Sequence, residues 1–146
     1  MIRALDLSDE QEVFELMHLQ REAYAVEADL IGSRDIPGLR DTLRTLQRCG
    51  ETFFGCFPRG ELVGAIPFKR EVSVLDIHRL VVRPDHFRRG IARALVAHAE
   101  ANAENAARVV VSTGTGNLPA TRLYRSLGFE EVAEVEAAPE IGRAHV

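Results

Sequence analysis

The chain has 146 residues, of which 46% are hydrophobic, a length and composition typical of one globular domain with one core. Its net charge of −4 gives no general attraction to nucleic acid or to an anionic membrane, so neither is an expected partner. Cys49 and Cys56 form no CxxC pair, no apolar run approaches the ~20 residues that span a bilayer, and the N-terminus lacks a signal-peptide core. We therefore expect a soluble cytoplasmic protein with reduced cysteines.

The first half of the chain alternates between predicted strands and helices. Residues 2–5 predict a short strand, and Ser8 followed by Gln11 is a capping-box pattern that opens a helix. The buried face of this helix recurs at helical spacing and comprises Val13, Leu16, Met17, Gln20 and Tyr24. A second helix is predicted from Pro37 to a stop at Gly50. Strands are predicted over residues 52–57, 62–68 and 73–82, the first two joined as a hairpin.

The second half of the chain continues the alternation after Pro84, which cannot serve a central strand ladder. A helix is predicted to begin at Arg88 or Arg89. Its buried face comprises Ile91, Ala94, Leu95, His98 and Ala99. A strand over residues 109–111 leads to a helix that Asn117 caps at its start and Gly128 at its end. Strands over residues 130–137 and 141–146, with a turn at Pro139, complete a single α/β domain over residues 1–146 that contains no linker.

The turn before the third helix has the features of a phosphate-binding loop. At a helix N-terminus the main-chain N–H groups lack intrahelical partners and lie at the positive end of the dipole, so they can bind a pyrophosphate. Gly90 permits close approach of a phosphate, small Ala92 leaves the first turn open, and Arg88 and Arg89 can add charged hydrogen bonds. The alternative is that Arg88, Arg89 and Arg93 only coat a solvated helix face.

A later stretch, residues 117–129, reads Asn-x-x-Ala-x-x-x-Tyr-x-x-x-Gly-Phe and puts Asn117 and Tyr124 two helical turns apart. With the turn before Gly90, it resembles the GNAT superfamily of N-acetyltransferases, whose loop reads Gln/Arg-x-x-Gly-x-Gly/Ala. Every specified position of the later pattern is matched, but Phe87 occupies the Gln/Arg position of the loop. The resemblance implies a mixed, mostly antiparallel central sheet that is splayed at the cofactor site and flanked by helices. It also implies acetyl-CoA as acyl donor. No metal is expected, because the histidines form no HxH or HExxH spacing.

The resemblance assigns cofactor contacts to the end of one strand, the loop and two helices. These contacts are Leu80, Val81, Val82, Phe87, Arg88, Arg89, Gly90, Ile91, Ala92, Arg93, Asn117, Ala120 and Tyr124. A main-chain N–H near Val81 or Val82 would meet the developing oxyanion. Because main-chain donors hold the pyrophosphate, we expect Phe87 to change the affinity of the site and not its existence.

Transfer to an amine needs a base, because an alkyl amine with a pKa near ~10 is almost wholly protonated at pH 7. The resemblance assigns this role to Asp76. His78 lies two residues on, hence on the same face of a regular strand, and its unperturbed pKa of ~6.5 also suits a base. We rank Asp76 above His78, an order that a bulge in the strand would reverse. By the same resemblance Tyr124 is the acid that protonates the departing thiolate.

Two other functions remain open at this point. Gly114-x-Gly116 between a strand and a helix suggests a dinucleotide fingerprint, although Pro119 stands at the third glycine. A non-catalytic acyl-CoA-binding sensor or interaction module of the same fold is also open, because Phe87 departs from the family pattern.

The acceptor is expected to be a small-molecule or peptide amine that the sequence does not specify. Its contacts are expected at Tyr24, at Glu27 and within residues 31–36, where the family builds its acceptor pocket. A homodimer is left open.

Overall fold

The computed structural model of the chain describes residues 1–31, 42–71, 73–78, 80–87, 89–103, 106–114, 118–130, 133–138 and 141–145. In chain order its elements are β1 (Ile2–Ala4), α1 (Glu10–Ile31), α2 (Leu43–Gln47), β2 (Thr52–Cys56), β3 (Gly64–Glu71), β4 (Val74–Ile77), β5 (Val81–Val82), a 3₁₀ turn (Pro84–His86), α3 (Ile91–Ala101), β6 (Arg108–Gly114), α4 (Leu118–Ser126), β7 (Ala133–Ala138) and β8 (Ile141–His145).

The strands form one sheet of eight with the order β1-β2-β3-β4-β6-β8-β7, and β5 pairs with β3 beside β4. Among the described strands every pair is antiparallel except β4 with β6, which is parallel. This arrangement confirms the predicted α/β class with a mixed, mostly antiparallel sheet. The parallel pair requires the crossover through α3, as strand–helix–strand units do.

Helices cover both faces of the sheet. Successive strand residues point to opposite sides, and apolar side chains on each side pack against helices. On β2 and β3, Phe53 and Ala65 pack with the buried faces of α1 and α2, where Leu46 of α2 lies. The neighbouring Ile66 points to the other side and packs with Leu95 of α3. The sheet therefore separates two apolar cores, one under α1 and α2 and one under α3 and α4.

Helix α1 buries the face that its periodicity predicts, since Val13, Leu16, Met17, Gln20 and Tyr24 are all buried. The expected cap at Ser8 is wrong. The Asp9 carboxylate accepts the N–H of Gln11 at 2.9 Å, so Asp9 caps the helix. The Ser8 hydroxyl instead donates to Asp6 at 2.6 Å, in a local turn that competes with capping.

Helix α2 begins at Leu43, where the Thr42 hydroxyl accepts the N–H of Thr45 and the Thr45 hydroxyl accepts that of Thr42. The start predicted at Pro37 lies outside the described residues.

Helix α3 begins at Ile91, two to three residues later than predicted, and its buried face includes Val96 in place of Ala94. Gly64 of β3 explains how closely this helix approaches the sheet. A Cβ on Gly64 would lie 2.8 Å from Cγ2 of Ile91 and 3.1 Å from Cδ1 of Leu95. The absence of a side chain at Gly64 therefore lets α3 lie close against β3.

The single strand predicted over residues 73–82 is wrong, because it divides into β4 and β5. Ile77 pairs with Phe68 and Val81 pairs with Ala65, so the registers of β4 and β5 on β3 are offset by one residue. One extra residue on one strand is a β-bulge, which changes the local twist and often lies beside functional sites.

The C-terminal part confirms the predicted strands and corrects their limits. β7 and β8 pair antiparallel as a hairpin, and β8 lies between β7 and β6. The Pro139 turn and the Asn117 cap lie outside the described residues. Gly114 is the last residue of β6, within its ladder to β8, which is not the phosphate turn that a dinucleotide fingerprint requires.

Candidate functional site

The sheet opens between β5 and β6. The two halves stay together up to the pair Ile77 with Val111, beyond which β6 continues with β8 while β5 remains on β3. The N–H of Arg83 donates to the Val63 carbonyl at 2.8 Å, and main-chain groups alternate direction along a strand. The N–H of Val82 therefore points away from β3, into the gap.

Arg83 fixes the turn that follows the gap. Its guanidinium contacts Glu61 at 2.8 Å and Asp85 at 3.0 Å, and its Nε lies 4.0 Å from Glu22 of α1. Asp85 also accepts from His86 at 2.8 Å, and this hydrogen bond is the main reason that the pKa of Asp85 is lowered. These contacts tie the 3₁₀ turn to α1 and to the β2–β3 turn, a tether that no motif predicts.

The N-terminus of α3 lies directly after this turn. Gly90 has φ +77° and its carbonyl accepts the N–H of Ala94 at 3.0 Å. A Cβ at Gly90 would meet no atom within 4 Å, so the position requires glycine for its backbone conformation and leaves open space above it. The N–H groups of Ile91, Ala92 and Arg93 then belong to the first turn, where helices have unpaired donors.

The side chains around this N-terminus differ in their exposure and in their contacts. Phe87 is 47% exposed, and its N–H donates to the Pro84 carbonyl at 3.4 Å. Arg89 is exposed, whereas Arg93 is tied to α4 by a hydrogen bond to Ser126 Oγ at 3.3 Å. Of the other expected cofactor contacts, Val81 and Val82 are buried, Leu80 is half-buried, Ala120 lies in the first turn of α4, and Arg88 and Asn117 lie outside the described residues.

Asp76 and His78 contact each other beside the gap. Nε2 of His78 lies 3.2 Å from Oδ2 of Asp76, which confirms that the two side chains share one face of the strand. His78 still follows the register of β4, because its N–H donates to the Pro67 carbonyl at 2.9 Å, so the change of register beyond it does not alter the relation of the two residues. The other carboxylate oxygen, Asp76 Oδ1, is buried and has no hydrogen-bond partner among the described residues.

A third residue, Glu51, completes this group, and no sequence motif indicated it. Its Oε2 lies 2.5 Å from Nδ1 of His78, so the imidazole bridges two carboxylates. Glu51 stands between Gly50, which ends the connection from α2, and the first residue of β2. The pairing of β2 with β3 and of β3 with β4 brings it to His78, whose own N–H donates to the Pro67 carbonyl at 2.9 Å.

The pKa of His78 is raised above its usual value. The hydrogen bond with Glu51 is the largest cause, partial burial opposes it, and the charges of Glu51 and Asp76 raise the pKa further. His78 therefore holds its proton more firmly near neutral pH than an ordinary histidine does.

Tyr124 lies in the last turn of α4 and is 4% exposed. Its carbonyl accepts the N–H of Phe129 at 3.0 Å, and the N–H of Gly128 donates to the Arg125 carbonyl at 3.0 Å, a Schellman motif that confirms the helix cap predicted at Gly128. The rings of Tyr124 and Phe129 meet edge to face at 6.0 Å between centroids. The motif therefore fixes the position of Tyr124 through its own helix cap.

Asp76 and Tyr124 belong to opposite sides of the sheet. Asp76 is paired with Lys69 and shares the face of Phe53 and Ala65, whereas Tyr124 packs in the core under α3. Groups on the two sides can act on one molecule only if it passes through an opening in the sheet. The gap between β5 and β6 is such an opening.

No helix in the described part of the chain combines the length and the hydropathy needed to cross a bilayer. Within the same residues, no group of three or more His, Cys, Asp and Glu side chains is arranged to hold a metal ion.

Comparison with known proteins agrees with this fold. Residues 13–129 match the acetyltransferase (GNAT) family, so the chain belongs to that family. It is 38% identical over 124 residues to the UPF0157 protein YqkA of Bacillus subtilis, a match that covers 85% of this chain and 36% of YqkA. The chain thus spans about a third of the length of this curated relative.

Solved structures share the fold at low identity. An acetyltransferase from Thermus thermophilus has a TM-score of 0.79 at 21% identity, covering 100% of this chain and 96% of that one. The PaiA N-acetyltransferase from Thermoplasma acidophilum, solved in complex with coenzyme A, has a TM-score of 0.73 at 17% identity, covering 99% of this chain and 98% of that one.

Proposed function

We propose that this chain binds acetyl-coenzyme A and transfers its acetyl group to an amine by direct attack, without a covalent enzyme intermediate. The observation that carries the proposal is Asp76, a carboxylate whose Oδ1 is buried and unpaired among the described residues and which lies on the strand that ends at the gap in the sheet. Membership of the acetyltransferase family supports the donor, and the unpaired carboxylate oxygen is suited to an acceptor that brings a hydrogen-bond donor, as an amine does.

The donor fits the main-chain groups around Gly90. The N–H groups of Ile91, Ala92 and Arg93 would hold its diphosphate, with the exposed Arg89 adding charge. The open space above Gly90 leaves room for that diphosphate. The thioester supplies the activated acetyl group, and the N–H of Val82 would stabilise the negative charge that develops on its carbonyl oxygen.

Asp76 is the base in this proposal, and His78 supports it. Both ring nitrogens of His78 face a carboxylate oxygen, and its raised pKa favours the protonated form, so it is less suited than Asp76 to accept a proton. Oδ1 of Asp76 has no competing partner among the described residues and would take the proton from the ammonium, directly or through water.

Tyr124 is the acid in this proposal. As the amine nitrogen forms the new amide bond, the C–S bond breaks and the sulfur needs a proton. The Tyr124 hydroxyl would give it, from the side of the sheet opposite to Asp76. Its burial in the second core would hold the hydroxyl in one position while the acceptor enters from the side of α1 and α2.

The experiment is a thiol-release assay with acetyl-CoA against aminoglycosides, polyamines, amino acids and peptide N-termini, run beside calorimetry with coenzyme A. We expect saturable binding and turnover with at least one amine. Asp76→Asn and Tyr124→Phe should each lower kcat by about 10²–10⁴-fold, because each removes one proton-transfer group, while coenzyme A affinity stays within about threefold. Asp9→Asn is the matched control, since asparagine caps a helix as well as aspartate does.

Absence of binding heat at saturating coenzyme A would refute the proposal. Binding without turnover over the whole panel would favour the acyl-CoA sensor instead. Full activity of Tyr124→Phe across the pH range would remove Tyr124 from the mechanism.

A further inference from the structure

We infer that Glu51 is a positioning residue for the acetyl-transfer site, which holds His78 as an imidazolium against Oδ2 of Asp76 and so fixes the orientation of the Asp76 carboxylate. The inference rests on the proposed function. It assigns a role to Glu51, which lies outside both sequence motifs. Two strand pairings, β2 with β3 and β3 with β4, bring this residue to His78.

The hydrogen-bond roles of the His78 ring depend on its protonation. An ionised carboxylate can only accept, so each ring nitrogen of His78 must donate if both contacts are to be favourable. A neutral imidazole has one donor and one lone pair, which would face either Glu51 Oε2 at 2.5 Å or Asp76 Oδ2 at 3.2 Å. The arrangement is therefore satisfied only when His78 carries both protons.

The contact with His78 also orients the carboxylate of Asp76. With Oδ2 held by the imidazolium, the carboxylate cannot rotate freely, and Oδ1 stays in its buried position without a partner among the described residues. If His78 lost its proton from Nε2, a lone pair would face Oδ2 and the carboxylate would turn away. Glu51 prevents this turn by favouring the charged ring.

Lys69 of β3 is another charged residue beside Asp76 and His78. It stands opposite Asp76 in the β3–β4 register and is exposed. Its side chain lies over Gly50: a Cβ added to Gly50 would be 3.6 Å from Cε of Lys69. The neighbours of Asp76 and Ile77 on β6 are Val110 and Val111, which carry no charge. Among the described residues, the charged groups that contact His78 are Glu51, just before β2, and Asp76 of β4, while Lys69 of β3 lies opposite Asp76.

The test uses Glu51→Gln, which keeps an acceptor for Nδ1 and removes the charge. First, an NMR titration of the His78 ring, which needs neither acceptor nor turnover, should show His78 of the parent titrating above about 6.5 and that of Glu51→Gln at lower pH. Second, the ratio of variant to parent kcat/KM should fall as the pH rises through the two titration points and then level off, lower by about tenfold for each pH unit that separates them. Taking the ratio cancels the titration of the acceptor itself. Glu10→Gln, at an exposed site in α1, should leave both readouts unchanged.

Three results would overturn the inference: parent His78 titrating at or below about 6.5, identical titration in parent and Glu51→Gln, or a rate ratio that is constant with pH. The first of these needs no variant, so a poorly folded Glu51→Gln leaves the inference open to refutation. Failure of the proposed function would appear separately, as a parent that does not bind coenzyme A or turn over while His78 titrates as expected.

Discussion

The protonation of His78 is linked to the free energy of unfolding as well as to the site. Its folded-state pKa is raised by Glu51 and then by Asp76, so the stabilisation is fully present below the unfolded pKa of about 6.5 and is lost as pH rises through the folded pKa. A protonated His78 between two carboxylates therefore stabilises the fold most on the acid side of neutrality.

Glu51→Gln should accordingly lower the free energy of unfolding by about 1 kcal/mol at pH 6 and by clearly less at pH 9. The physical reason is that the lost interaction involves the charged ring, which is depleted at high pH. Urea unfolding of parent and variant at both pH values measures the difference. An equal loss at the two pH values would mean that the carboxylate stabilises the fold without the histidine charge.

At the scale of single elements, the start of α3 depends on one glycine. Gly90 has φ +77° with free space around it, so Gly90→Ala should cost about 1–2 kcal/mol of stability through backbone strain, with no steric clash. If the main-chain donors above it bind the diphosphate, the variant should also bind coenzyme A at least about tenfold more weakly.

Gly60→Ala is the matched control for this element. Gly60 has φ +80° and equally free surroundings, but it lies in the β2–β3 turn. The control should lose similar stability in thermal unfolding and keep the parent affinity in calorimetry. Equal affinity losses in the two variants would indicate that α3 does not bind the diphosphate.

Elements with a strong internal period were predictable, and elements defined by their partners were not. Every residue expected on the buried face of α1 is buried, because the period of a helix is a property of its own sequence. The division of residues 73–82 into β4 and β5 was missed, since it depends on which ladder each half joins. The close approach of α3 to the sheet likewise depends on Gly64, a residue of another strand.

The site follows the same rule at the scale of the whole molecule. Tyr124 and Gly90 lie within contiguous motifs that set their own local geometry, and the contact between Asp76 and His78 needs only strand alternation. Glu51 reaches His78 across two strand pairings, a contact between residues 27 positions apart in the chain. A contact of that kind is visible only after the sheet is assembled.

The sheet also separates the two cores, and this predicts how mutations combine. Leu16 of α1 and Leu95 of α3 are both fully buried, on opposite faces of the sheet. Leu16→Ala and Leu95→Ala should each cost about 2–5 kcal/mol, from lost burial and the cavity left behind.

Because the two side chains belong to separate cores, the double variant should lose the sum of the single losses within about 0.5 kcal/mol. Urea unfolding of the four proteins, followed by fluorescence and circular dichroism, measures the cycle. A coupling energy above about 1 kcal/mol would mean that the cores communicate through the sheet. The gap between β5 and β6 would then be the first region in which to test for that coupling, because the sheet has fewer strand pairings there.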